Sequence, residues 1–132
     1  MGSFSDYLEN KLLDHIVGKT SFTMPVNAYV ALSTANPLDT GAGIAEPSGG
    51  AYARKQTVAA DWTAAAAGAT SNAVAITFAT ATASWGTIAY FAVFDALTAG
   101  NMLFHGTITP SKLVSTGDTA AFAIGDLDVT LD

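Results

Sequence analysis

The sequence has no cysteine, so neither a disulfide nor a thiolate metal site is available to it. With two histidines as the remaining nitrogen ligands, a structural zinc site is disfavoured, and no metal or cofactor is expected. Basic residues are also few, at 5 against 11 acidic ones, and the net charge of −6 has the wrong sign for binding phosphates. We therefore expect no nucleic-acid partner.

Long apolar runs are lacking as well. The least polar stretch, 84–95, is too short for a membrane-spanning helix, which needs roughly 20 apolar residues. Residues 1–6 have no basic region followed by an apolar core, so no signal peptide is predicted and we expect the chain to be made and kept inside the cell. Charged residues make up 12% of the chain, about half the usual share of roughly 25%. A domain so poor in charge is expected to cover part of its surface with other subunits.

The stretch Ser84–Asp95 predicts the central strand of one domain that spans residues 1–132. From Thr87 it is β-branched and aromatic with no charge before Asp95, as in strands covered on both faces. Gly100 and Asn101 mark a turn, after which Met102–Thr109 returns as an antiparallel neighbour.

Residues 5–18 carry the strong helix signal. Asp6 is the predicted cap, with Glu9 as its reciprocal partner, and Gly18 ends the helix. Leu8, Leu12 and Ile16 recur every four residues, beside Leu13 and Val17, and form one apolar stripe. The stripe either packs on the domain's own sheet, which we favour, or docks on a neighbouring subunit.

Residues 26–34 predict a strand with Ala28, Val30 and Leu32 on one face. Residues 35–50 then contain two prolines and four glycines and predict a long loop. Because loops beyond roughly 12 residues are usually functional or mobile, this loop is a candidate contact surface. A surface arm with no partner is an equally good interpretation.

Further short strands are predicted at 51–58, 73–78, 112–114, 119–124 and 126–131. In the last of these, Leu127, Val129 and Leu131 are predicted to point inward, and Asp126, Asp128, Thr130 and Asp132 outward. The first carries Arg54 and Lys55 as edge charges. The Ala run 63–67 is not assigned to a helix, because Gly68 and Asn72 follow it. About eight strands behind one helix predict a mainly-β fold, an antiparallel β-sandwich of jelly-roll type over residues 26–131.

The sequence contains few residue patterns that would indicate a catalytic function. His15 and His105 have no neighbouring nucleophile or acidic partner along the chain. Asp126, Asp128 and Asp132 alternate on one strand but lack a calcium-loop pattern, so solvated edge charges are the favoured interpretation. Gly41-Ala42-Gly43 has no strand before it and no helix after it, and is rejected as a phosphate loop. No catalytic residue is predicted.

Several segments resemble a family of small tailed-bacteriophage virion proteins commonly labelled as tail fibre proteins. They are Asp6–Asp14, Tyr29–Thr34, Glu46–Gly50 with Tyr52–Arg54, Ala69–Asn72 and Ser84–Thr87, and the similarity continues to Gly125–Val129. The resemblance implies a non-enzymatic virion protein that is assembled in the host cytoplasm.

Two virion roles follow from this resemblance. The favoured one is a trimeric decoration or cement protein that contacts the major capsid protein, because 132 residues are few for a shaft plus a receptor-binding tip and no fibrous repeat is present. The alternative is a fibre or tail-tip component that contacts tail or baseplate proteins, in which Tyr52 and Trp62 near the long loop bind glycans. For Trp62 and Trp85 core packing is favoured. The candidate contact residues are Leu8, Leu12, Ile16, Pro37, Ile44 and Pro47.

Overall fold

The computed structural model describes residues 2–131 and shows a mainly-β fold with one helix near its N-terminus. Seven strands form a curled mixed sheet in the order β3-β2-β6-β7-β1-β9-β4, and β5 pairs with β8 in a separate two-stranded sheet. The elements are β1 (Gly2–Phe4), α1 (Asp6–Ile16), β2 (Ala28–Ser33), β3 (Lys55–Thr57), a 3-10 helix (Ala59–Asp61), β4 (Ala69–Ser71), β5 (Ile76–Thr77), β6 (Gly86–Phe94), β7 (Met102–Val114), β8 (Ala121–Phe122) and β9 (Asp128–Thr130).

The predicted central strand is confirmed. β6 lies between β2 and β7 and pairs antiparallel with both. One face of it carries Ile88, Phe91 and Val93 into the main core, and the other packs Ala92 and Phe94 against Ala31 and Met102. Both faces are covered, which accounts for the absence of charge along this strand.

β7 is longer than predicted. The sequence divides it at Pro110 into two strands, but Lys112–Val114 continues the same strand and pairs with Gly86–Ile88. The register between the strands shifts between Ile88 and Tyr90, so the residues around Pro110 bulge out of the pairing. An irregularity of this kind accommodates a proline that cannot donate a hydrogen bond to the ladder.

The mainly-β class with an N-terminal helix is confirmed, while the sheet arrangement differs in detail from a wholly antiparallel sandwich. β1 pairs antiparallel with β7 but parallel with β9, so the large sheet is mixed. β1 and β4 have three residues each and no alternating pattern that would reveal them. The predicted strand 73–78 is reduced to β5, and the predicted strand 119–124 is reduced to β8.

The main core lies between the curled sheet and the two-stranded sheet. It combines aliphatic side chains of the central strands with a cluster of aromatic rings. Leu127 and Val129 point inward at the C-terminal end, as predicted, but Leu131 is 60% exposed and that part of the prediction is wrong. Asp132, predicted on the outer face of the same strand, lies outside the described residues.

Helix α1 begins one residue away from the predicted cap. Ser5, not Asp6, is the N-cap, and its hydroxyl oxygen accepts a hydrogen bond from the Leu8 N–H. The Ser5 hydroxyl also donates to the Met102 carbonyl, so the cap ties the helix to β7. Gly18 follows the helix in the left-handed region at φ +74°, as its role in ending the helix requires. With 11 residues, α1 is too short to cross a bilayer, and no other helix within residues 2–131 is long enough.

Candidate functional site

The long loop 35–50 is irregular, as predicted, and an ion pair fixes its C-terminal part. Arg54 Nη2 donates to Glu46 Oε1 at 2.6 Å, and Arg54 Nε donates to both carboxylate oxygens at 3.1 Å. The two side chains are only 8% and 22% exposed. A bidentate, largely desolvated pair of this kind fixes orientation as well as distance.

Tyr52 extends this network into the core. Its hydroxyl donates to Glu46 Oε2 at 2.8 Å and accepts from the Leu32 N–H at 3.0 Å. Its ring packs edge-on against Trp85, with 5.3 Å between the ring centroids. Burial raises the pKa of the Tyr52 hydroxyl well above its ordinary value, because a buried phenolate is poorly solvated.

Arg54 also holds the turn that joins β6 to β7. Its Nη1 donates to the carbonyls of Ala96 at 2.9 Å and Ala99 at 2.8 Å. Its guanidinium carbon lies 3.6 Å from the centroid of the Phe94 ring, which is cation–π contact. The prediction that Arg54 is an exposed edge charge is therefore wrong. Lys55, the next residue, is exposed on the edge strand β3 as predicted.

A cleft of about 300 Å³ opens between the two segments that Arg54 connects. We call it the loop cleft. Residues 39–42 of the long loop form one wall, and residues 100–102 with Phe94 form the other. Ser5 and Tyr7, at the start of α1, complete the lining.

Asp39 in this lining has a partner that is distant in sequence. His105 Nε2 lies 3.0 Å from Asp39 Oδ1, and the Asp39 carbonyl accepts from the Asp6 N–H at 3.0 Å. His105 is 12% exposed, whereas the Asp39 side chain is 61% exposed. Asp39 was not predictable as the acidic partner of His105, because the two residues are 66 positions apart.

Exposed apolar side chains are concentrated in the last turn of α1 and in the segment that follows it. Five of the twelve large apolar side chains exposed within residues 2–131 fall in one span of fourteen residues. Residues 19–22 fold back on the last helical turn, where Phe22 N–H donates to His15 Nδ1 at 3.1 Å and Lys19 N–H donates to the Asp14 carbonyl. We call this surface the helix-end surface; it comprises Leu13, Ile16, Val17, Met24 and Val26.

The predicted apolar stripe of α1 is thus divided along its length. Leu8 is buried and Leu12 is partly buried against the main core, which supports the interpretation that this part of the stripe packs on the domain itself. Ile16 and Val17 are each 73% exposed. Among the three helix candidates, Leu8, Leu12 and Ile16, only Ile16 offers an exposed side chain to a partner.

The three candidate contact residues of the long loop also differ in burial. Pro37 is fully buried, so it stabilises the loop and offers no contact surface. Ile44 is partly buried against the small cluster of Ala31, Ala92, Phe94 and Met102. Pro47 is partly buried as well. Contact of Ile44 or Pro47 with a partner stays a prediction.

The tryptophans pack in the core, as favoured by the sequence. Trp85 is 4% exposed and donates through Nε1 to the Gly50 carbonyl at 2.8 Å. Trp62 is partly buried, packs edge-on against Phe104 and donates to Thr57 Oγ1 at 3.0 Å. Together with the burial of Tyr52, this leaves neither Tyr52 nor Trp62 as an open platform for a glycan.

The described residues hold no cluster of three or more histidine, aspartate or glutamate side chains that could bind a metal ion. Asp126 instead caps a turn, where its Oδ2 accepts from the Ala123 N–H at 2.9 Å. A second groove of about 470 Å³ lies between the bulged part of β7 and residues 118–122. Its floor consists of core residues such as Leu32 and Ile88.

The fold is a mainly-β domain, and its exposed apolar side chains at the helix-end surface are typical of sites of protein–protein contact. The chain belongs to the family described as Podophage GP4 fiber I protein gp80, whose family model matches residues 3–130. This match confirms the resemblance to phage fibre-labelled proteins and supports a structural protein of the virion rather than an enzyme. None of the curated proteins compared matches the sequence.

Proposed function

We propose that the chain is a subunit of a podophage fibre, held in its assembly by the helix-end surface. The family's description names a fibre protein, which favours this position over the capsid decoration role that the sequence alone favoured. The single observation that carries the contact is the concentration of exposed apolar side chains within residues 13–26, among them Ile16 and Val17 at 73% and Val26 at 89%. Contiguous exposed apolar side chains mark interaction sites.

Capsid decoration remains the second candidate. The observation that favours it is the packing of residues 2–131 around a core between two sheets, without an extended or repetitive element in that part of the chain. In this role the same helix-end surface contacts the major capsid protein. In both roles we propose that the subunit is a homotrimer, since the low charge of the chain suits extensive subunit packing.

The contact can be tested by replacing Ile16 and Val17 with glutamine in the phage that encodes the chain. Glutamine removes the apolar contact without placing a negative charge at the helix C-terminus, which would itself be unfavourable. We expect the variant to fold normally and to be depleted from purified virions, as measured by quantitative mass spectrometry. Replacing Leu12 is unsuitable, because Leu12 packs against the domain's own core.

Ile124→Gln is the matched control. Ile124 is 70% exposed but lies in the turn after β8, nearly a hundred residues along the chain from the helix-end surface. We expect this variant to be incorporated at the wild-type level. Equal incorporation of the Ile16/Val17 variant and the wild type would contradict the proposed contact surface.

A further inference from the structure

The groove between the bulged part of β7 and residues 118–122, which we call the β7–β8 groove, has a volume of about 470 Å³. The β7 side of its lining contains apolar residues that remain in contact with water. Leu113 is 64% exposed, Pro110 is exposed and Ile108 is half-buried. Exposed apolar side chains beside a concave surface are typical of a contact site.

Strand β8 lines the other side of the groove and is an edge strand. It pairs with β5, and within residues 2–131 no further strand joins this two-stranded sheet. An extended segment of another chain can add to such an edge through main-chain hydrogen bonds. The β7–β8 groove therefore suits a partner segment that is extended, uncharged and apolar.

The chain itself contains a segment with these properties. Residues 19–26, which we call the helix-end segment, contain no charged side chain after Lys19, and residues 21–25 belong to no helix or strand. Met24 and Val26 are 79% and 89% exposed. Pro25 lies between them and restricts the backbone, so less conformational entropy is lost when the segment docks.

The charged groups of the segment and of the groove are complementary. Lys19 is exposed at the start of the helix-end segment. The groove lining contains two carboxylates, Asp118 and Asp126, against one cation, Lys112. Each carboxylate uses its Oδ2 atom to accept a backbone N–H of its own turn, which leaves Oδ1 for a cation. Lys19 can therefore meet opposite charge at the groove.

The segment and the groove of one molecule lie too far apart to meet. Val26 precedes β2 by two residues, and β2 begins beside the C-terminal end of β6, where it pairs with Phe94. The groove lies at the N-terminal end of β6, where Gly86 pairs with Val114 and Ile88 lines the groove. Six residues of extended strand separate Ile88 from Phe94, which corresponds to about 20 Å. The helix-end segment therefore reaches a β7–β8 groove on another molecule, not on its own.

We propose that the helix-end segment of one copy docks in the β7–β8 groove of a second copy. Such a contact joins two different surfaces, so it can close into a ring of three copies, as the proposed homotrimer requires. Contact between two helix-end segments would instead be two-fold symmetric, and would bring Lys19 of both copies to the same interface. The inference rests on the proposed assembly role of the helix-end surface and names a second copy as its partner.

The contact can be mapped by paramagnetic NMR, because the chain has no cysteine and an introduced one takes a spin label at a single position. The label is attached to Thr23→Cys, an exposed position beside Met24, in a chain without ¹⁵N. This chain is then mixed and equilibrated with ¹⁵N-labelled wild type. We expect selective broadening of wild-type amides within residues 108–114 and 118–122. Broadening within residues 13–26 instead, or no broadening, would overturn the proposal.

A charge reversal tests the complementarity of the two surfaces. Lys19→Glu places a carboxylate near Asp118 and Asp126 of the second copy. We expect the dissociation constant between copies to rise about tenfold or more, as measured by sedimentation equilibrium. Lys55→Glu makes the same change of charge at an exposed position of β3 outside both surfaces, and should leave the dissociation constant unchanged. Equal effects of the two variants would contradict the proposed docking.

Failure of this inference can be distinguished from failure of the proposed function. If the spin label broadens no groove amide while the Ile16/Val17 variant is still depleted from virions, the helix-end surface acts through a partner other than a second copy. The docking proposal is then wrong and the assembly role stands. If the Ile16/Val17 variant is incorporated normally, the assembly role of this surface is itself contradicted.

Discussion

Two irregular segments flank strand β2, and they differ in how they are held. Residues 17–27, before β2, present Val17, Met24 and Val26 at 73%, 79% and 89% exposure. Residues 34–54, after β2, bury Pro37 and are fixed by the Arg54–Glu46 ion pair. Both segments lack regular structure for most of their length, so irregularity by itself does not distinguish a contact surface from a packed loop.

The two segments differ in whether their charged, backbone and apolar groups have partners within the chain. The long loop has its charges paired and its backbone hydrogen-bonded, for example Thr34 N–H to the Ala45 carbonyl at 3.0 Å. The segment before β2 leaves large apolar side chains in water, an arrangement that costs free energy unless a partner covers them. We therefore propose assembly contacts for the first segment, whereas the second segment is held within the domain.

Removal of Arg54 should have the largest effect on this comparison. Arg54→Ala leaves the Glu46 carboxylate without its cation and the Ala96 and Ala99 carbonyls without their donor. We expect the free energy of unfolding to fall by about 3 kcal/mol, as for other broken buried ion pairs. Chemical denaturation measures the loss, and hydrogen exchange should show faster exchange at both residues 39–42 and residues 100–101.

Lys55→Ala is the matched control for Arg54→Ala, since Lys55 is the next residue but is exposed on the edge strand. Lys55→Ala should change the free energy of unfolding by no more than about 0.5 kcal/mol. A change of similar size in both variants would mean that Arg54 does not fix the long loop.

Removal of the Tyr52 hydroxyl should have a smaller effect. Tyr52→Phe keeps the ring packing against Trp85 but leaves the Leu32 N–H and Glu46 without one partner each. We expect a loss of about 1–2 kcal/mol in the free energy of unfolding, measured by urea denaturation. No loss at all would show that water replaces the hydroxyl at no cost.

The same residue predicts a dependence on alkaline pH. The pKa of Tyr52 is raised in the folded protein above its ordinary value of 10.0, chiefly by burial. Above that pH the unfolded chain releases a proton that the folded protein keeps, so this contribution to stability is complete below pH 10 and falls as the pH rises further. Above about pH 10 the wild type should therefore lose stability more steeply than Tyr52→Phe, which retains Tyr7, Tyr29 and Tyr90. Parallel curves would contradict the burial of the hydroxyl.

The smallest effect on stability is expected at the helix-end surface. Ile16 and Val17 are each 73% exposed, so replacing both with glutamine removes little packing. We expect the free energy of unfolding to change by no more than about 0.5 kcal/mol. A loss several times larger would show that these side chains pack within the domain, and would weaken the assignment of this surface to a partner.

Features with a local pattern were predictable from the sequence. The apolar run of β6 is enough by itself to predict a buried strand. In the same way, a helix is predicted by the four-residue recurrence of Leu8, Leu12 and Ile16. The helix cap differed by one residue, since Ser5 and Asp6 are both good caps and the tertiary contact of Ser5 with Met102 favours Ser5. The family resemblance was recognisable because its segments extend along most of the chain.

Features created by long-range contacts were not predictable. Asp39 and His105 are 66 residues apart, and nothing in either neighbourhood indicates the other. Arg54 beside Lys55 has the sequence pattern of an exposed edge. The seven residues between Glu46 and Arg54 include two glycines and a proline, which specify no fixed geometry. The division of the apolar stripe into a buried part and an exposed part also depends on which helix residues contact the rest of the domain. Helical periodicity does not show this.

The most direct test of the proposed place in the virion is the copy number of this protein in purified virions, by quantitative mass spectrometry against the major capsid protein. The fibre proposal predicts few copies, a small multiple of the symmetry of the tail. A ratio near one copy per major capsid protein, or a simple large fraction of it, would contradict the fibre proposal and support capsid decoration.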